Sequence, residues 1–112
     1  MCLFCKIAQH EIKADIVLED AEVVAFRDIN PAAPTHVLVI PKKHIVSLSE
    51  AAEADQALLG RLMLTAKAVA EKLDLVNSGY RTVVNNGKDA GQSVFHLHVH
   101  VLAGRQLAWP PG

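Results

Sequence analysis

A broad basic surface is missing from this chain. Its 11 lysines and arginines face 12 acidic residues, for a formal charge of −1. Nothing grips a nucleic-acid backbone through bulk charge, so no nucleic-acid partner is expected and any phosphate site has to be local. Long apolar runs are missing too. The chain begins Met1-Cys2-Leu3-Phe4-Cys5-Lys6, and charge returns at Glu11, Lys13 and Asp15. That leaves no stretch for a signal peptide or a membrane span, so the expectation is a cytoplasmic protein with no membrane contact. Cysteine is scarce, and in a reducing compartment the two residues read as thiols or metal ligands rather than a standing disulfide. Internal repeats, low-complexity tracts and dividing linkers are absent. With 112 residues, 51% of them hydrophobic, residues 1–112 are expected to form a single domain with its own core.

A short helical segment is expected around Leu3–Gln9, then strands at Ile16–Leu18 and Val23–Phe26 across the turn-prone Glu19-Asp20-Ala21-Glu22. Asn30-Pro31 and Ala33-Pro34 interrupt the pattern. His36–Ile40, β-branched and closed by Pro41, predicts a central strand. Ser49 reads as a helix N-cap with Glu50 and Glu53 in the first turn. The helix would run to Leu73, with Leu58, Leu62, Thr65, Val69 and Leu73 on one stripe, widened by Leu59, Met63, Ala66 and Ala70. On this reading Met63 packs in the core. Tyr80–Asn85 and Val94–Leu102 complete the strands, around a loop at residues 86–93, and the Trp109-Pro110-Pro111-Gly112 tail lies extended. Strands, a helix, then strands give an α+β fold with a mainly antiparallel sheet.

In Phe95-His96-Leu97-His98-Val99-His100-Val101, apolar residues and imidazoles alternate. On a strand, that period places the three histidines on one face, roughly 6.5–7 Å apart, with the apolar residues on the other. A merely solvated face would need only serine, threonine or lysine. A three-histidine zinc centre is a second possibility, but no nearby acid supplies an outer shell for all three. Gly91-Gln92-Ser93 sits at the mouth of the strand, where glycine lets backbone approach a ligand and successive N–H groups can form an anion nest. Ser93 adds a hydroxyl, and a neutral imidazole is a nucleophile toward phosphorus. Nucleotidyl chemistry therefore suits these surroundings better than a zinc centre.

The run Gln92–Leu102 resembles the signature of the histidine triad (HIT) family, closest to its nucleotide-binding branch of purine nucleoside phosphoramidases. The likeness extends to Phe4-Cys5-Lys6-Ile7, Phe26-Arg27-Asp28-Ile29-Asn30-Pro31, Pro34-Thr35-His36, Val39–His44, Tyr80–Asn85 and Trp109–Gly112. It implies a HIT-like fold: an antiparallel sheet of about five strands, one long helix and a short N-terminal helix, with the sheet extended across a homodimer. The implied activity is hydrolysis of the P–N bond in AMP- or GMP-amine conjugates through a nucleotidyl intermediate on His98. His100 would contact the phosphate, His36 would support His98 from behind, and Ser93 would serve the leaving group or phosphate. Asn85 and the Gly91, Gln92 and Ser93 backbone would complete the cradle. Asp28 and Ile29 would meet the ribose, and Phe4, Ile7, Ile12, Phe26 and Leu38 would wall the purine. No cofactor is required for that chemistry.

Each assignment has a plainer competitor. Phe26 and Leu38 could be ordinary core, Asp28 a turn former and His36 a structural histidine. Lys42 and Lys43 read as a solvated edge and His10 as surface. The resemblance to bacterial relatives with Cys-x-x-Cys further implies a structural zinc on Cys2, Cys5, His44 and His96, against a redox pair as the usual competitor. Two other functions fit the same triad: a dinucleoside polyphosphate hydrolase, and a nucleotide-binding regulatory module with incidental hydrolysis. The closing Trp-Pro-Pro-Gly favours the phosphoramidase.

Overall fold

The structure, a computed structural model, describes residues 2–112. Helix α1 spans Leu3–Ala8, and strands β1 (Ile16–Glu19), β2 (Val23–Arg27) and β3 (Thr35–Pro41) follow. After two short 3-10 turns come helix α2 (Gln56–Lys72) and strands β4 (Arg81–Val83) and β5 (Val99–Ala103). The strands form one antiparallel sheet in the order β1-β2-β3-β5-β4. The expected α+β class, five strands and two helices are all present.

Both faces of the central strands are covered, which is why β2 and β3 read as continuous apolar runs. Val23, Ala25, Val37, Val39, Val99 and Val101 point to one face, where Leu62, Ala66, Val69 and Ala70 of α2 seal them. Val24, Phe26, Leu38 and Ile40 point to the other, beneath Phe4, Ile7 and Ala8 of α1. A six-residue helix does not persist alone. Burial of Phe4 and Ile7, worth roughly 1.5–3 kcal/mol each, holds α1 in place, and the Cys5 N–H donates to Cys2 Sγ at its N-cap. On this second face His100 stands opposite Leu38 and His36 opposite Leu102. The functional side chains therefore share the α1 face.

Several boundaries differ from expectation. Ser49 is not the cap of the long helix, because 3-10 turns at Leu48–Glu50 and Glu53–Asp55 come first and α2 begins at Gln56. The Ser49 N–H instead donates to Asn86 Oδ1, while Asp55 accepts from the Ala52 N–H and from Lys43. Lys43 thus pairs with a buried carboxylate rather than standing free at an edge, and Lys42 pairs with Glu19. Met63 is 48% exposed and lies off the buried stripe. His10 lies at the surface as expected and pairs there with Glu19 at 2.7 Å. The last strand begins at Val99 rather than Val94, and β4 is shorter than the expected Tyr80–Asn85.

Candidate active site and metal-ligand cluster

The histidine run does not lie as one straight strand. Val94–His96 bend, leaving Phe95 61% exposed instead of facing the core with Leu97, Val99 and Val101. The bend is held from both sides. Gln92 Nε2 donates to the Val46 and Val94 carbonyls, and the Leu97 N–H donates to Ile45 O. As a result His96 turns away from His98 and His100, and the trio divides between two sites.

His98 and His100 remain together, with ring centroids 4.9 Å apart. Their protons follow from partners that have only one role. The His96 carbonyl can only accept, so His98 Nδ1–H donates to it at 2.7 Å, and in the neutral tautomer the lone pair lies on Nε2. The Ala32 N–H can only donate, so His36 Nδ1 accepts at 3.0 Å and the neutral ring carries its hydrogen on Nε2. His36 Nε2–H then donates to His100 Nδ1 at 2.8 Å, which leaves the neutral His100 with a hydrogen on Nε2. That Nε2 is buried and has no partner among the described residues. A lone pair on one ring and an unused N–H on the next are what attack at phosphorus and charge stabilisation require. Burial, and secondarily the His98 and His36 charges, pushes His100 down to about 4. Burial likewise lowers His36, against the opposing pull of Asp28. Both rings are therefore neutral near pH 7. His36 backs His100 rather than His98, because the two rings are diagonal neighbours on one face of the β3–β5 pair, where His36 lies opposite Leu102 and His100 opposite Leu38.

Beside the pair lies a cavity of about 400 Å³ lined by Leu3, Phe4, Ile7, Ile12, Phe26 and Leu38, with Asp28, Ile29 and Ser93 at its border. Phe4 joins the two, packing edge-on against Phe26 at 5.5 Å and against His98 at 5.2 Å. Phe26 and Leu38 are thus both core and wall. Asp28 serves two roles as well: Oδ1 accepts the Asn30 N–H in a turn, and Oδ2 lies 3.5 Å from His36 Nε2. Ile29 is 91% exposed at the mouth. Lys13, Ala14, Arg27, Asn30 and Val94 also line the cavity. With Leu3, they are absent from the site expected from sequence, although all but Ala14 adjoin a residue named there.

The expected anion nest is only partly available. The Gly91 N–H donates to Lys88 O and the Gln92 N–H to Gly87 O, so neither is free to cradle a phosphate. The Gln92 side chain is a loop staple, its Oε1 taking the Gly87 N–H. Ser93 is exposed at the cavity border, and Asn85 is half-buried.

His96 itself meets Cys2, Cys5 and His44. The six separations among Cys2 Sγ, Cys5 Sγ, His44 Nδ1 and His96 Nδ1 run from 3.1 to 3.5 Å. Four points so spaced form a near-regular tetrahedron whose centre lies roughly 2 Å from each, close to zinc–nitrogen and slightly inside zinc–sulfur distances. His96 Nε2–H donates to Pro41 O at 2.8 Å, which fixes the tautomer that offers Nδ1 inward. Burial raises the Cys5 thiol, with Cys2 adding to the effect, so thiolate charge here calls for a cation. The four residues could hold a metal ion, and the donor set has no open corner.

A five-stranded α+β sheet with an imidazole pair beside an apolar cavity defines a small ligand-binding or catalytic domain. The profile of the HIT domain matches residues 9–107. The chain is 57% identical to an uncharacterized HIT-like protein of Synechococcus elongatus, covering 98% of this chain and 96% of that one. Its fold is similar to a HIT family hydrolase from Legionella pneumophila Philadelphia 1 (TM-score 0.97, 51% identity, 100% of both chains). It is also similar to a histidine triad nucleotide-binding protein from Candida albicans (TM-score 0.84, 33% identity, 98% of this chain and 83% of that one). The chain belongs to the HIT family.

Proposed function

We propose that this protein is a hydrolase of purine nucleoside 5′-phosphoramidates. The observation that supports this best is the fixed tautomer of His98. Its Nδ1–H is tied to the His96 carbonyl, so the Nε2 lone pair is the ring's one reactive position. The purine would enter the cavity between Phe4, Ile7, Phe26 and Leu38, with Asp28 taking the ribose hydroxyls. His98 Nε2 attacks the α-phosphorus and the P–N bond breaks. The amine departs with a proton delivered through the exposed Ser93 hydroxyl. The His100 Nε2–H, neutral and without another partner, donates to a phosphoryl oxygen as charge develops. In the nucleotidyl intermediate the His98 ring is cationic, and the His96 carbonyl stabilises it. Water then displaces the ring, returns a proton to solvent and releases the monophosphate.

Cys2, Cys5, His44 and His96 are the proposed ligands of a structural zinc, which would tie α1 to the chain ahead of β5. The homodimer that the family resemblance implies fits the edge position of β4, next to a tail pinned by Arg81 to the Leu107 and Ala108 carbonyls, with Trp109 79% exposed.

Quenched turnover of labelled AMP-lysine, followed by peptide mapping, tests the mechanism. Label on His98 supports it. An adduct elsewhere, or none, refutes it. Comparing AMP-amine with diadenosine polyphosphate turnover separates the phosphoramidase from its nearest alternative.

A further inference from the structure

β5 ends at Ala103 and is followed by Gly104 and Arg105, which lie outside the cavity. Gly104 has φ +98, and a Cβ there would lie 2.7 Å from Pro34 Cβ. Only glycine lets the chain leave β5 this close to the segment 29–34. Arg105 then reaches across to that segment, where Nη2 donates to the Ala32 carbonyl at 3.0 Å. With prolines at positions 31 and 34, the segment has few backbone donors and no strand partner. Among the described residues, the Arg105 bond is the one side-chain hydrogen bond that reaches residues 29–34 from outside residues 28–36. Ala32 is also the residue whose N–H sets the His36 tautomer.

Resting on the proposed chemistry above, we infer that Arg105 is a positioning residue. It clamps Ala32, and through the Ala32–His36–His100 hydrogen bonds it keeps the hydrogen of His100 on Nε2, facing the phosphate. The chain of tautomers has two consistent arrangements. With the Ala32 N–H on His36 Nδ1, hydrogens lie on Nε2 of both rings and His100 presents a donor. If Ala32 drifts away, His36 Nδ1 loses its donor, and only the 3.5 Å approach of Asp28 Oδ2 to Nε2 still opposes a shift of the hydrogen to Nδ1. His36 Nε2 then becomes an acceptor, His100 must donate from Nδ1, and His100 Nε2 presents a lone pair to the phosphoryl oxygen. The switch replaces an attraction with a repulsion in the transition state and leaves the purine walls untouched.

Arg105→Met keeps the length of the side chain and removes its donors, whereas Arg105→Lys keeps one donor. Two-bond ¹H–¹⁵N imidazole spectra of the free protein should show Nε2–H forms of His36 and His100 in the wild type. Arg105→Met should shift population toward Nδ1–H, and Arg105→Lys should restore the wild-type pattern. With AMP-lysine, Arg105→Met should lower kcat about tenfold, a fraction of what losing a preorganised donor outright costs, with KM unchanged. Should Arg105→Met fail to fold, Gly104→Ala, which presses on Pro34 with Arg105 intact, should give the same tautomer shift. Unchanged spectra in a folded Arg105→Met protein overturn the inference, as does a rise in KM at constant kcat. The spectra require no substrate. A tautomer shift in a protein that does not hydrolyse phosphoramidates would therefore refute the proposed activity and leave the clamp standing.

Discussion

The carbonyl of His96 accepts the Nδ1–H of His98 at 2.7 Å, while the ring of the same His96 turns into the cluster with Cys2, Cys5 and His44. One residue thus sets the tautomer of the candidate nucleophile through its backbone and anchors a metal-ligand cluster through its side chain.

Metal removal should therefore reach the active site. Zinc bound at one equivalent in untagged protein should be lost in Cys5→Ser. The melting temperature should fall by about 10 °C, the size of shift a loss of about 2 kcal/mol gives near this chain length. Hydrolysis should fall with it, because α1 and the bend before His98 loosen together. Zinc-free protein that is fully stable and active, and indifferent to added zinc, would rule out the structural role.

Substituting His98→Asn keeps a polar group of similar reach and removes the nucleophile. Turnover should drop at least about a thousandfold, while AMP still binds through the cavity and Asp28 in a calorimetric titration. Appreciable residual hydrolysis would discard the covalent mechanism. Unimpaired cell function with the variant would favour a purely regulatory binding module.

Acid should destabilise the fold through the buried imidazoles. An unfolded histidine takes up its proton near 6.5, whereas folded His100 resists until about 4 and folded His36 is also lowered, both chiefly through burial. Between those values the unfolded chain binds more protons, so stability falls as pH drops from 6.5 toward 4 and is flat with respect to His100 outside that window. The His100 contribution is on the order of 3 kcal/mol. Urea denaturation of wild type and His100→Gln in the same buffers at pH 7.5, 5.5 and 4 should show the wild type losing its advantage across the window. A constant difference would contradict the assignment.

Phe4 belongs to both the apolar wall and the packing around His98. Phe4→Ala should cost about 3–5 kcal/mol of stability, as large-to-small core changes do, and should raise KM for AMP-lysine more than it lowers kcat. Calorimetry and steady-state kinetics check the two parts. An unaffected KM would place the purine elsewhere.

Much of this was legible in the sequence, and the physical reasons differ from residue to residue. The continuous apolar runs of β2 and β3 identify strands directly, because both faces are buried and nothing polar interrupts them. The stripe Leu62, Thr65, Ala66, Val69 and Ala70 locates α2 by its spacing alone. Spacing places Met63 on the flank of that stripe, and a flank of a helix is buried or exposed according to what lies across from it. The start of α2 was misplaced because Ser49 and the acids after it suit a cap, while the Lys43–Asp55 pair that sets the actual geometry spans 12 positions.

Local pattern settled what repeats along the chain: which segments are helix and strand, and that imidazoles gather at the last β-strand. Tertiary packing decided the division of those imidazoles: His98 is held locally by the His96 backbone, but groups far along the chain fix the other two rings, Pro41 for His96 and His36 for His100. A hydrogen bond between residues far apart in the chain leaves no period in the sequence. Its partners become known only once the sheet has brought them within about 3 Å.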